Sequence, residues 1–125
     1  MAILFTDLVG STEAAARLGE EGAEGFRQTY FALLREGIRH HGGTEVKNLG
    51  DGLMVAFNTA SDAVACAVTM QQALARHNRR GGEAMAIRVG VAAGEARRRP
   101  FRLVWVSGVG VFVGRAVERE RLEAA

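Results

Sequence analysis

The sequence is short of the residues that staple or break a chain. Among 125 residues there is one cysteine and one proline. A lone Cys66 can form no disulfide within the chain, which excludes a disulfide-built secreted scaffold and suits a reducing cytoplasm. Aromatic residues make up only 6%, with a single Trp and a single Tyr, so recognition of nucleic acid by interleaved stacking is not expected. No apolar run approaches the roughly 18 residues that span a membrane. Met1 to Asp7 has no basic start, so it does not read as a signal peptide. Lysine occurs once, as Lys47.

What is present is a chain with 48% hydrophobic and 24% charged residues, the profile of one globular domain with a real core. Glycine is plentiful at 16 residues but shows no period. The net charge of +2 conceals an asymmetry. Residues 1–75 carry five basic and nine acidic side chains, residues 76–125 eleven and five. A basic back half attracts phosphates of some kind.

Periodicity orders the elements. Ala2-Ile3-Leu4-Phe5 reads as a strand buried on both faces and ending at Thr6-Asp7. Ser11 or Thr12 offers a cap for a helix beginning near Glu13 and running to about His41, with a break between Gly19 and Gly25. Phe26, Tyr30, Leu34 and Ile38 recur every fourth residue and form one apolar stripe. Thr44–Leu49 and Leu53–Phe57 read as strands joined at Gly50-Asp51-Gly52, a hairpin signal. Thr59 and Asp62 have capping-box spacing before a helix that carries Ala63, Ala67, Met70, Leu74 and His77 on one face. Ala84–Val91 is a further strand. The order is β-α-β-β-α-β, so the predicted class is α+β, ferredoxin-like, with an antiparallel sheet and helices mainly on one face. Val104–Val113 reads as one more strand and Glu118–Ala125 as an unfinished helix. His40, His41, His77, Met54, Met70 and Cys66 read as structural.

Two carboxylates stand at comparable places: Asp7 at the end of the first strand and Asp51 in the hairpin turn. Adjacent central strands would bring them together, and such a pair binds a hard divalent cation that takes its other ligands from phosphates. Directly after Asp7, the turn at Gly10-Ser11-Thr12 offers amides and a helix N-terminus to an anion. Each residue has a plainer reading as well. Asp7 and Asp51 can serve merely as turn residues, Arg88 as a solvated cation and Lys47 as a solubilising one.

Ile3–Thr12 and Gly50–Phe57 resemble two signature segments of class III adenylyl/guanylyl cyclase catalytic domains. Arg88-Val89-Gly90-Val91-Ala92-Ala93-Gly94-Glu95 resembles a third. The resemblance covers residues 2–96 in order and spacing. It implies that Asp7 and Asp51, with the backbone carbonyl of Leu8, hold two Mg²⁺ or Mn²⁺ ions. It also implies that Val9, Gly10, Ser11, Thr12 and Arg88 bind the triphosphate, and that Lys47 reads adenine from the partner protomer. The implied reaction forms cyclic AMP and pyrophosphate from ATP, with GTP less favoured, in a head-to-tail homodimer of an intracellular signalling protein.

The last thirty residues depart from the family. Val111 stands where the family has an Asp that completes adenine recognition, and Glu118 where it has an Asn that orients the ribose. Arg121 falls three rather than four residues after that position, the family's transition-state Arg. Residues 1–96 therefore read as a cyclase-like core, and 97–125 as a divergent, incomplete part of the same domain. Truncation, a shifted reading frame or degeneration would each give this pattern. The alternative function is an inactive, nucleotide-binding, dimerising regulatory module.

Overall fold

In β1 (Ala2–Leu8) burial alternates: Ala2, Leu4, Thr6 and Leu8 point into the core, while Ile3, Phe5 and Asp7 are half-buried on the other face. The strand is thus covered fully on one face only, and it runs on through Asp7, past its expected end. The reason is pairing. β1 lies between β3 (Leu53–Phe57) and β4 (Ile87–Ala93), and the ladder with β4 continues through Asp7↔Arg88 and Leu8↔Ile87. The structure, a computed structural model, describes residues 1–94 and the strand segments 102–107 and 110–115.

The remaining elements follow the predicted order. The helix α1 (Ser11–His40) contains one non-helical residue, Gly19, at φ 76° and ψ 177°, so the expected break falls at that glycine. Gly10, in the left-handed region at φ 70°, takes the N-cap position without a side-chain cap bond. Ser11 and Thr12 are therefore inside the helix rather than capping it. β2 (Thr44–Asn48) pairs with β3, and α2 (Ala60–Arg79) is capped as expected by Thr59, whose hydroxyl accepts from the Asp62 amide at 3.1 Å. All strand pairs are antiparallel, and the sheet order is β2-β3-β1-β4-β5-β6. The first four strands are the ferredoxin-like core. The run read as one strand over Val104–Val113 is in fact two, β5 (Arg102–Ser107) and β6 (Gly110–Arg115), with β5 paired on β4 and β6 on β5. The expected terminal helix and the basic turn at 97–100 lie outside the described residues.

One core holds this together. Tyr30, Leu34 and Ile38 from α1 and Ala63, Cys66, Ala67, Met70 and Leu74 from α2 pack on Leu4, Leu53, Val55, Val89 and Val91 of the sheet. Both helices thus cover the same face. Two of the three histidines bond within the fold: His41 Nε2 meets Thr69 Oγ1 at 2.8 Å, and His77 Nε2 meets the Glu83 carbonyl at 2.9 Å. Among the described residues no helix is long and apolar enough to cross a membrane.

Candidate active site

The site grows from the end of β1. The Leu8 amide donates to the main-chain oxygen of Asp51 at 3.0 Å, so the peptide that follows Asp7 is bonded directly to the residue carrying the second carboxylate. The hairpin turn is shaped for this approach. Gly50 adopts φ +94°, the Asn48 side chain accepts from its amide at 2.8 Å, and the Leu49 amide donates to the Gly52 carbonyl at 2.8 Å. Gly52 is needed for space rather than for its φ. A Cβ there would sit 1.8 Å from the Thr6 carbonyl oxygen, well inside van der Waals contact. The hairpin signal in the sequence is correct, but its second glycine exists because two backbones touch.

Each carboxylate has a polar neighbour. Arg88 Nη2 donates to Asp7 Oδ2 at 2.6 Å, and Ser11 Oγ donates to Asp51 Oδ2 at 2.9 Å. The Ser11 hydroxyl, expected at a cap, instead reaches a residue forty positions away. Val9 donates its amide to the Ala86 carbonyl at 2.8 Å. The Ala14 amide bonds the Gly10 carbonyl at 3.0 Å, so the amides of Ser11, Thr12 and Glu13 precede the first bond of the helical ladder. Lys47 lies in β2, all five residues of which are exposed. Its register partner is Met54, itself opposite Phe5, and Phe5 lies on the same face of β1 as Asp7. Lys47, Asp7 and Arg88 accordingly share the sheet face that the helices leave uncovered. Val111 lies in β6 opposite Val106, while Glu118 and Arg121 fall outside the described residues.

The donor set fits a divalent cation of the Mg²⁺ type. Two carboxylates and a main-chain carbonyl are hard oxygen ligands, and among the described residues no cluster of three or more His, Cys, Asp or Glu forms a closed cage. Such an open set leaves coordination positions for water and substrate phosphates. Two residues of the site went unread in the sequence, Thr6 and Tyr30. They are buried at 3% and 0% exposure, and Tyr30 Oη donates to the Asp51 main-chain oxygen at 2.8 Å. The available signal was polar atoms at core positions of an apolar strand and an apolar stripe, where each must find a partner.

Residues 1–99 match the family model described as the adenylate and guanylate cyclase catalytic domain. Among curated relatives, a putative adenylate cyclase 3 of Rhizobium meliloti is 35% identical over 96 residues, 75% of this chain and 16% of that protein. A protein of Myxococcus xanthus named serine/threonine-protein kinase pkn2 is 32% identical over 102 residues, 80% of this chain and 12% of that protein. The chain therefore spans a small part of the curated relatives it matches. Among solved structures, the guanylyl cyclase Cya2 superposes with a TM-score of 0.67 at 29% identity, over 91% of this chain and 61% of that one. The adenylate/guanylate cyclase/hydrolase from Silicibacter pomeroyi gives 0.61 at 30% identity, over 98% and 68%. The corner built by Asp7, Asp51 and the helix N-terminus sits in a fold and a sequence of one kind, and this chain belongs to the adenylate and guanylate cyclase catalytic domain family.

Proposed function

We propose that this chain is a nucleotide cyclase catalytic domain that forms cyclic AMP and pyrophosphate from ATP. The observation that carries the reading is the hydrogen bond from the Leu8 amide to the Asp51 carbonyl, which joins the two acidic turns at one corner beside a helix N-terminus. Asp7, Asp51 and the Leu8 carbonyl would hold two divalent ions, Mg²⁺ or Mn²⁺. Bound there, the ions lower the pKa of the ribose 3′-hydroxyl and neutralise the triphosphate. The chain's own residues do the rest. The amides of Gly10, Ser11 and Thr12, in the turn that Val9 anchors, receive the terminal phosphates. Arg88, exposed and opposite Asp7 in the strand ladder, adds a cation to them. Lys47 reads adenine across a homodimer interface, so two sites form per dimer. The 3′-hydroxyl would give its proton to solvent water as its oxygen bonds to the α-phosphorus, the bond to the bridging oxygen would break, and pyrophosphate would depart in line. Residues 97–125 belong, in this reading, to the same domain in divergent form, and the protein acts in cytoplasmic signalling.

A second reading rests on two departures. Val111 and Glu118 stand where the family places an Asp and an Asn, and a carboxylate at the second position repels a polyanion. An inactive nucleotide-binding, dimerising module would keep the acidic corner and lose turnover.

The test is cyclic nucleotide formation from ATP and from GTP with Mn²⁺, beside metal-dependent binding of a non-hydrolysable ATP analogue. Turnover from ATP that vanishes in both Asp7→Ala and Asp51→Ala is the expected result. Binding without turnover would select the regulatory module, and neither would reduce the corner to ancestry.

A further inference from the structure

The roles above leave two buried hydroxyls without a task. An apolar stripe on α1 needs a hydrophobic ring at position 30, and an alternating β1 needs a small apolar side chain at position 6. Neither needs a hydroxyl, and a buried hydroxyl is costly unless it is bonded. Here the bonds converge. The single proton of the Tyr30 phenol goes to the Asp51 carbonyl oxygen at 2.8 Å. Thr6 Oγ1, 3.4 Å from Tyr30 Oη, is then the donor of that contact, because the phenol has no second proton to give. The same Thr6 oxygen accepts the Leu53 amide at 2.9 Å. The Asp51 carbonyl also receives the Leu8 amide. One connected network thus runs from the residue after Asp7, through the main chain of Asp51, to the residue two beyond it.

The carboxylates cannot fix their own separation. Asp51 is exposed and Asp7 half-buried, so neither is held by packing. The Tyr30 ring is fully buried and its centroid lies 5.0 Å from that of Phe31. It is a rigid point against the turn.

We propose that Tyr30 and Thr6 are positioning residues: a buried hydroxyl relay that clamps the Asp51 turn to β1 and so sets the spacing of the Asp7 and Asp51 carboxylates for a shared cation. The inference rests on the metal reading above and concerns how its ligands are held. Loss of an outer partner of a metal ligand costs about 10–100-fold in affinity.

The probe is Mn²⁺ alone, followed by electron paramagnetic resonance of the free ion on the full chain without nucleotide, with a thermal melt of each variant. Tyr30→Phe and Thr6→Val should each weaken Mn²⁺ binding about tenfold. The double variant should be little weaker than either, because both act through one relay. Thr6→Ser, which keeps the hydroxyl, should bind as the parent does. Normal Mn²⁺ affinity in Tyr30→Phe and Thr6→Val, while Asp7→Asn loses it, would overturn the relay and leave the metal reading standing. A lowered melting temperature with unchanged affinity would overturn the relay equally, since it marks a merely structural pair of hydroxyls. Unchanged affinity in Asp7→Asn would remove the metal reading, and the relay's role with it. If Tyr30→Phe does not fold, the contrast between Thr6→Val and Thr6→Ser decides: loss in the first alone supports the relay, and equal affinity overturns it.

Discussion

The Arg88 guanidinium lies 2.6 Å from Asp7 Oδ2, although the two residues are 81 positions apart in the chain. One of the two carboxylates proposed to hold a cation thus brings its own counter-ion. The Arg88 side chain is exposed at 69% and that of Asp7 half-exposed at 48%, so the pair is a weak competitor. Arg88→Gln is expected to raise Mn²⁺ affinity about two- to fivefold in the absence of nucleotide, the range an exposed ion pair commands. It should weaken binding of a non-hydrolysable ATP analogue at the same time. A titration in which both affinities fall would show that Arg88 assists the cation rather than opposing it.

The two glycines of the hairpin should fail for different reasons. Gly52→Ala forces a Cβ onto the Thr6 carbonyl, and since both partners are backbone the expected cost is about 3 kcal/mol. Gly50→Ala meets nothing within 4 Å and suffers only its φ of +94°, about 1–2 kcal/mol. Chemical denaturation separates them. Gly50→Asn should recover part of the loss, and Gly52→Asn none.

Alkaline pH should unfold this protein earlier than its composition suggests. Burial pushes the Cys66 thiol from 9.0 to about 12, and mainly burial pushes Tyr30 from 10.0 to about 12. In both cases the folded state keeps a proton that the unfolded chain releases. Their contribution is complete below pH 9 and is lost as pH rises towards 12. The urea midpoint should therefore decline across that window. Cys66→Ala should flatten the decline from about pH 9 and Tyr30→Phe from about pH 10. A midpoint constant to about pH 11 would contradict the burial of both groups. In the native state at about pH 8, Cys66 should also resist a thiol-specific reagent.

Lys47 should be functionally costly and structurally free to replace. It lies on an exposed edge strand, where substitutions usually change stability by less than about 0.5 kcal/mol. Lys47→Ala is expected to keep the melting temperature and to raise the KM for ATP more than that for GTP. Equal effects on both nucleotides would remove it from base recognition.

Most of the architecture was readable because it depends on local signals. The stripe from Phe26 to Ile38, the Thr59 cap and the hairpin glycines each predict structure within a few residues of themselves. What was not readable depends on long-range contacts. Ser11 looks like a helix cap, yet Gly10 takes that place and the Ser11 hydroxyl goes to Asp51. Tyr30 reads as one more hydrophobe until the fold brings the Asp51 carbonyl to its hydroxyl. The Val104–Val113 run shows a strand but not its division, which only the pairing of Ser107 with Gly110 displays. Asp7, Asp51, Lys47 and Arg88 became candidates chiefly by resemblance, since their separations along the chain carry no geometry until the sheet is closed.

The strand order has a consequence for biosynthesis. An inner position of the sheet belongs to β1, the earliest of its six strands in chain order, and its second neighbour is β4, roughly eighty residues later. At about 5–20 residues per second, β1 waits on the order of 4–16 s after synthesis before β4 can reach it. During that interval its half-apolar edge is open on the side that later carries Arg88. Translation speed through residues 60–95 should therefore govern how much of the nascent chain is captured by chaperones, and Asp7 waits some eighty residues of synthesis for Arg88, its neighbour in the ladder.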